Sequence, residues 1–133
     1  MGTLVDSNVL LDVLDEDEEW MDWSASMMAR AAERGPVVIN PIIYAETSVT
    51  FDTIEELDEA LPPAFFVREP LPWDAAFLAA KAFVAHRRRG GAHRAVLPDF
   101  YIGAHAAIAG HTLLTRDAKR YRAYFPKLRI VAP

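Results

Sequence analysis

The chain has 133 residues, no cysteine and a formal net charge of −5, with 52% hydrophobic and 25% charged residues. That length suits one domain spanning 1–133 with a sizeable core, and the composition is that of an ordinary soluble globule. The lack of cysteine excludes disulfides, thiolate metal sites and a cysteine nucleophile; Asp6 comes too early for a secretory leader, and the apolar stretch 75–85, broken by Lys81, is too short to span a bilayer.

In chain order, residues 3–6 form a short apolar run ending in Asp6-Ser7-Asn8, three residue types that favour helix caps. Val9, Leu10, Val13 and Leu14 follow at helical spacing. The acidic run 15–19 reads as a solvated turn leading into a helix with Trp20, Trp23, Met27 and Ala31 on one stripe and Gly35-Pro36 at its end. Residues 37–40 have the pattern of a buried strand, and Asn40-Pro41 can cap and start a helix through Phe51. A short helix is expected at 54–61, a strand at 65–69 and an alanine-rich helix at 74–88. A basic, glycine-containing loop covers 87–94. Helix 98–109, strand 112–115, helix 118–124 and strand 128–131 complete the series. Short apolar strands alternating with helices predict an α/β/α sandwich around a mostly parallel sheet, in which ligands bind beyond the carboxyl ends of the strands.

Charge is divided unevenly. From Lys81 onward there are eleven basic residues and two acids, Asp99 and Asp117; the first 80 residues hold three basic residues and seventeen acids. A basic half with two isolated carboxylates at element junctions points to a polyanionic substrate and a cation held among acids. Locally, Asp6 and Asp117 read equally as helix caps, and Asp99 as a complement to a helix dipole. Glu46 is different. It lies at helical spacing from Ile42, Ile43 and Val49, and a carboxylate on an apolar face costs several kcal/mol unless paired or neutralised. Two carboxylates about 5 Å apart repel by roughly 3 kcal/mol at an effective dielectric near 20, so four converging acids require a cation. Oxygen-only ligands favour Mg²⁺ or Mn²⁺ over zinc. Gly103 and Ala106, stacked with Asp99 on their helix, would let that helix approach the sheet. Thr115, two residues before Asp117, is placed to hold a water beside the ion, or is a β-branched strand residue and nothing more.

Taken as an ordered set, Leu4-Val5-Asp6-Ser7-Asn8, Tyr44-Ala45-Glu46, Leu97-Pro98-Asp99-Phe100-Tyr101-Ile102-Gly103-Ala104 and Leu113-Leu114-Thr115-Arg116-Asp117 resemble the motifs of PIN-domain ribonucleases, and among these the VapC-type toxins of toxin–antitoxin pairs. The resemblance covers essentially the whole chain. It implies a PIN-like, Rossmann-like fold with strand order 3-2-1-4-5. It also implies a cytoplasmic, Mg²⁺- or Mn²⁺-dependent endoribonuclease, usually dimeric, whose cognate VapB-type antitoxin assembles with it and blocks the site. Asp6, Glu46, Asp99 and Asp117 match the acidic quartet that binds the metal, and Thr115 the hydroxyl residue. Asn40-Pro41 departs from the more usual Ser or Thr entry to the helix of the second acid.

Several basic residues are candidates to steer an RNA backbone: Arg87, Arg88, Arg89, Arg94, Arg116 and Lys119, together with Arg120 and Arg122. The four histidines show no ligand spacing. His93 is the one candidate for RNA contact, and Trp20 and Trp23 are expected to face the core or a partner's helix. Two other classes are a phosphoacceptor receiver module and a PIN-like binding protein without catalysis. A receiver wants paired acids after the first strand, and here Asp6 stands alone.

Overall fold

A computed structural model of the chain describes residues 1–90 and 97–133. The expectations attached to His93 and Arg94 lie outside the described residues. Five strands, β1 (Thr3–Val5), β2 (Val37–Ile39), β3 (Phe66–Arg68), β4 (Thr112–Leu114) and β5 (Ile130–Val131), form one sheet of order β3-β2-β1-β4-β5. Every pairing is parallel, with Leu4 beside Val38 on one side and Leu113 on the other. This is the order expected. The central strands read as unbroken apolar runs because both of their faces are covered. Leu4, Val5, Val37, Val38, Ile39, Leu113 and Leu114 are all buried.

Between β1 and β2 lie α1 (Ser7–Leu14) and α2 (Met21–Arg34); α3 (Pro41–Ser48) and α4 (Ile54–Ala60) link β2 to β3. The chain then crosses the sheet through α5 (Trp73–Arg88) and α6 (Leu97–Ala109), and α7 (Lys119–Tyr124) joins β4 to β5. The first two crossovers run one way along the sheet and the later ones the other way. Right-handed connections therefore put α1–α4 against one face and α5–α7 against the opposite face. The reversal occurs at β1 and β4, whose carboxyl ends open the crevice where Asp6 and Thr115 stand.

Local chemistry explains two departures from the expected pattern. The buried stripe of α2 is Ser24, Met28 and Ala31, with Trp20, Trp23 and Met27 half-buried at its edge. Ser24 donates its hydroxyl to the buried Asp12 of α1 at 2.7 Å, which turns that face inward. Helix α3 starts as expected, with Asn40 Oδ1 accepting from Ile43 N at 2.9 Å and Pro41 at its first position. It stops at Ser48 rather than Phe51. Thr47 and Ser48 donate back to the carbonyls of Ile43 and Tyr44, a competing bond that weakens helix continuation. Its buried face is Ile43 and Thr47, while Val49 is exposed.

Gly103 sets the seam between α6 and α7. A Cβ built there would lie 2.5 Å from a ring carbon of Phe125 and 3.0 Å from one of Tyr121. The close approach is therefore to α7, not to the sheet as expected from the sequence. Both rings are buried. Their contact with bare α6 backbone brings the Tyr121 hydroxyl to 2.9 Å from Asp6 Oδ2.

On the opposite side of α6, a second network ties the layers together. His111 Nδ1 accepts from Gly2 N at 2.9 Å, and His105 Nδ1 lies 3.0 Å from Asn40 Nδ2. The Asn40 carbonyl oxygen is already used by Ile43 N, so its amide must donate to His105. Both imidazoles are thus neutral, protonated at Nε2, and both point those protons at Glu69 Oε1, at 3.2 Å from His105 and 2.8 Å from His111. Burial depresses the His105 pKa below its ordinary value. Burial would raise that of Glu69, but the hydrogen bonds donated by His111 and His105 outweigh it and hold Glu69 low.

Gly103→Ala should destabilise the protein. Overpacking costs about 1–3 kcal/mol, and a 2.5 Å contact with a buried ring belongs to the upper part of that range, about 2–3 kcal/mol. Less a helix-propensity gain of at most about 1 kcal/mol, the net loss in denaturant unfolding should be ~1–2 kcal/mol, and a variant as stable as wild type would contradict the seam. His105 gives a pH prediction. Its folded pKa lies below its unfolded value of 6.5, so the unfolded chain takes up the proton first. The associated stability is full above pH 6.5 and is lost as pH falls below it. The melting-temperature difference between wild type and His105→Gln should therefore shrink between pH 7 and pH 5; parallel curves would show that His105 takes up its proton equally in the folded and unfolded states.

Candidate active site

The crevice at the sheet reversal contains a cavity of about 210 Å³ lined by Asp6, Ser7, Asn8, Asp99, Asp117, Arg120 and Tyr121. Larger cavities of about 440 and 360 Å³ lie elsewhere, and none of the four candidate acids lines them. Asp6, immediately after β1, is 4% exposed. It caps α1 by accepting from Ser7 N at 2.8 Å on Oδ1. Its other oxygen accepts the hydroxyls of Thr115 and Tyr121, each at 2.9 Å. Burial nevertheless raises the Asp6 pKa; the three hydrogen bonds pull it down, and the charge of Asp117 adds to the rise.

Glu46 of α3 does not line this cavity; half-buried beside it, it is linked to the site by accepting the Ser7 hydroxyl at 2.9 Å. Its pKa is raised by burial, opposed by the Ser7 bond and assisted by the charge of Asp6. Asp99, in the first turn of α6, is pushed up to about 6, by burial first and then by Asp6, despite its pairing with Arg120. That pair is close, 2.6 Å between Arg120 Nη1 and Asp99 Oδ2, with each side chain about one-third exposed. Asp6 thus raises both Glu46 and Asp99, and Glu46 also raises Asp99. Such mutual opposition is what converging carboxylates produce.

Asp117 is exposed on the rim, past the end of β4, and its amide donates to Thr115 Oγ1 at 3.1 Å. Thr115 is fully buried. Its hydroxyl also accepts from Asn8 Nδ2 at 3.3 Å while donating to Asp6. One donor and two lone pairs are all in use, so Thr115 orients Asp6 and has no bond left for the water assigned to it from the sequence. Arg116 is turned away from the crevice. Its Nε donates to the buried Asp12 at 2.6 Å and its guanidinium lies 5.3 Å from the Trp20 ring centre, while its amide donates to Asn8. This clamp fixes the loop carrying Thr115 and Asp117, and it corrects the expectation that Arg116 is a free RNA contact.

The donor set suits a hard divalent cation. It is all oxygen, and among the described residues no hydrogen-bond donor reaches Glu46 Oε2 or Asp99 Oδ1. Yet no three of these carboxylates bring oxygens within 4.8 Å of one another; among the described residues, Glu69, His105 and His111 do. The Glu69–His105–His111 group is nonetheless a poor metal site. A metal-bound imidazole carries its proton on the other nitrogen, and here both Nδ1 atoms face N–H donors. The trio is a hydrogen-bonded latch holding protons where a metal would have to enter.

Of the other basic candidates, Arg87, Arg88 and Arg89 end α5 in exposed positions, and Lys119 is exposed at the start of α7. The Arg89 guanidinium lies 4.8 Å from the Tyr124 ring centre, which draws the end of α5 toward α7. A cavity of about 330 Å³ on this flank is lined by His86, Asp117, Lys119, Arg120, Ala123 and Tyr124, and it adjoins the acidic cavity through Asp117 and Arg120. Sequence reasoning missed Tyr121, Ser7 and the Asp12–Arg116 clamp. The only available signal was the position of Ser7 and Asn8 directly after Asp6.

The sequence model of the PIN domain matches residues 3–126. No curated protein matches the chain. Among solved structures, the chain is similar to VapBC2 from Rickettsia felis bound to a DNA fragment from their promoter (17% identity, TM-score 0.76, 100% of this chain and 99% of that chain covered). It is also similar to VapBC-1 from nontypeable Haemophilus influenzae (16%, 0.75, 99% and 98%) and to FitAcB from Neisseria gonorrhoeae (19%, 0.72, 96% and 95%). The family match spans nearly the whole chain and runs from the strand before Asp6 to the helix that positions it: this chain belongs to the PIN-domain family.

Proposed function

We propose that this chain is a Mg²⁺- or Mn²⁺-dependent endoribonuclease, acting in the cytoplasm as the toxin of a toxin–antitoxin pair and restrained by a VapB-type antitoxin. The observation that carries the reading is the clustering of three acids with raised pKa values at the sheet reversal: Asp6 and Asp99 line one cavity, and Glu46 is tied to Asp6 through Ser7. The fold neighbours named as VapBC and FitAB complexes support the toxin class and the antitoxin partner. No described helix is long and apolar enough to cross a membrane.

Asp6, Glu46 and Asp99 would hold the ion, which when bound supplies a more acidic water and charge neutralisation at the scissile phosphate. Thr115, Tyr121 and Ser7 fix the rotamer of Asp6. Tyr121 has a pKa pushed well above its ordinary value, by burial first and then by the acids around it, so it remains a donor at neutral pH. Asp117, solvent-exposed at the rim, is placed to orient a water rather than to anchor the ion. The exposed Arg87–Arg89 cluster and Lys119 beside the crevice suit an RNA backbone, and affinity should fall with salt. Trp73, Phe77 and Val84 lie on one side of α5 at 91%, 67% and 41% exposure. An apolar stripe of this kind suits a second copy of the chain, and the antitoxin's tail would lie in a groove near Trp20 and Trp23.

Asp6→Asn, Glu46→Gln and Asp99→Asn should each lower Mn²⁺-dependent cleavage of total RNA by more than about 100-fold, while Asp117→Asn should cost about 10–100-fold, as for a group acting through water. Expression of the wild-type chain alone should arrest growth, and expression of Asp99→Asn should not. Near-wild-type cleavage by Asp99→Asn, or equal toxicity of the two chains, would overturn the assignment.

A further inference from the structure

The acidic cavity already contains a cation supplied by its own chain. Arg120 reaches from α7 to Asp99 at 2.6 Å, the same short range as the Arg116–Asp12 clamp. Arg116 grips a carboxylate that is 3% exposed, whereas Arg120 and Asp99 are each about one-third open to solvent. Arg120 also lines two adjoining cavities, the acidic one of about 210 Å³ and its neighbour of about 330 Å³. Its side chain therefore has a second space to enter without disturbing α7. Meanwhile the carboxylates of the site stay too far apart for three of them to share an ion, since no such trio meets the 4.8 Å separation. An arginine drawing Asp99 toward α7, together with repulsion among the acids, explains that spacing.

We propose that Arg120 is the resident counter-ion of the acidic site and is exchanged for the divalent metal. This rests on the metal-dependent reading above. In the metal-free protein the guanidinium offsets the charge of Asp99. When a divalent ion enters, Arg120 releases Asp99 and moves to the adjoining cavity beside Lys119, and Asp99 closes toward Asp6 and Glu46. The metal affinity of the protein is then lower than the carboxylates alone would give, because each binding event breaks the Asp99–Arg120 pair.

The test is Mn²⁺ affinity by isothermal calorimetry for wild type, Arg120→Gln, Lys119→Gln and Asp99→Asn, with thermal melts of each in EDTA and in saturating Mn²⁺. Exchange predicts that Arg120→Gln binds Mn²⁺ roughly tenfold more tightly, about 1.4 kcal/mol. It also predicts that this variant melts lower than wild type in EDTA and level with it in Mn²⁺, because the lost pair matters only where it exists. Lys119→Gln removes a like charge close by without touching Asp99, so its affinity should change less than about twofold; an equal gain in both variants would mean a general field effect and would overturn the exchange. Unchanged or weaker Mn²⁺ binding by Arg120→Gln, with Asp99→Asn strongly impaired, would refute the exchange and leave the metal site standing. Binding by Arg120→Gln alone would support the exchange in its strongest form. No Mn²⁺ binding by wild type or by Arg120→Gln would overturn both readings.

Discussion

Asp6 has to exist as a buried carboxylate at the one point where the sheet reverses direction, and much of the surrounding structure serves that requirement. An ionised acid at 4% exposure is costly unless it is hydrogen-bonded. Three elements supply the donors: the α1 amide of Ser7, the Thr115 hydroxyl after β4 and the Tyr121 hydroxyl of α7. Each donor has its own support. Thr115 is held by Asn8 and by the loop that Arg116 clamps to Asp12. Tyr121 reaches Asp6 because Gly103 leaves room for its ring against α6. Remote features, a glycine on one helix and a buried salt bridge between α1 and a loop, thus converge on the geometry of a single side chain.

The second constraint is charge. The basic second half of the chain suggested a surface for a polyanion, and the arginines at the end of α5 and Lys119 fit that role. Two of the late arginines are used internally instead, Arg116 on Asp12 and Arg120 on Asp99. The basic residues of the second half therefore serve folding as well as substrate attraction: Arg116 meets Asp12, an acid of the first half, beside the crevice, and Arg120 meets Asp99, an acid of its own half, within it. Of the two, only the Arg116–Asp12 pair has a buried carboxylate; removing Arg116 would leave that charge unpaired, which is costly, and this suits a loop that must be fixed in position.

The fold was legible in the sequence because parallel strands buried on both faces read as short apolar runs, and 37–39 and 112–114 stand out for that reason. The acids were legible because Asp6, Asp99 and Asp117 fall at element junctions. Partnerships across long sequence separations were not. Nothing local shows that Ser7 bridges Asp6 and Glu46, or that His105 and His111, six residues apart, meet at Glu69. Glu46 stands out in the sequence by an apolar face drawn through Ile42, Ile43 and Val49, yet of these α3 buries only Ile43, together with Thr47, and Val49 is exposed. Glu46 does stand beside the site, joined to it by Ser7, but the periodicity argument that singles it out is not followed by the helix. For α2, the hydrophobic stripe gave way to Ser24, a polar residue turned inward by its bond to Asp12.

The central claim is that the crevice around Asp6 is a divalent-cation site. Thermal unfolding of wild type and Asp6→Asn across a Mn²⁺ titration tests it most directly, because asparagine retains the capping oxygen for α1 while removing the charge. Wild type should gain stability with Mn²⁺, by about 2.7 kcal/mol at a hundredfold excess over its dissociation constant, and Asp6→Asn should gain little or nothing. An equal Mn²⁺ response in both proteins, or none in wild type, would contradict the account.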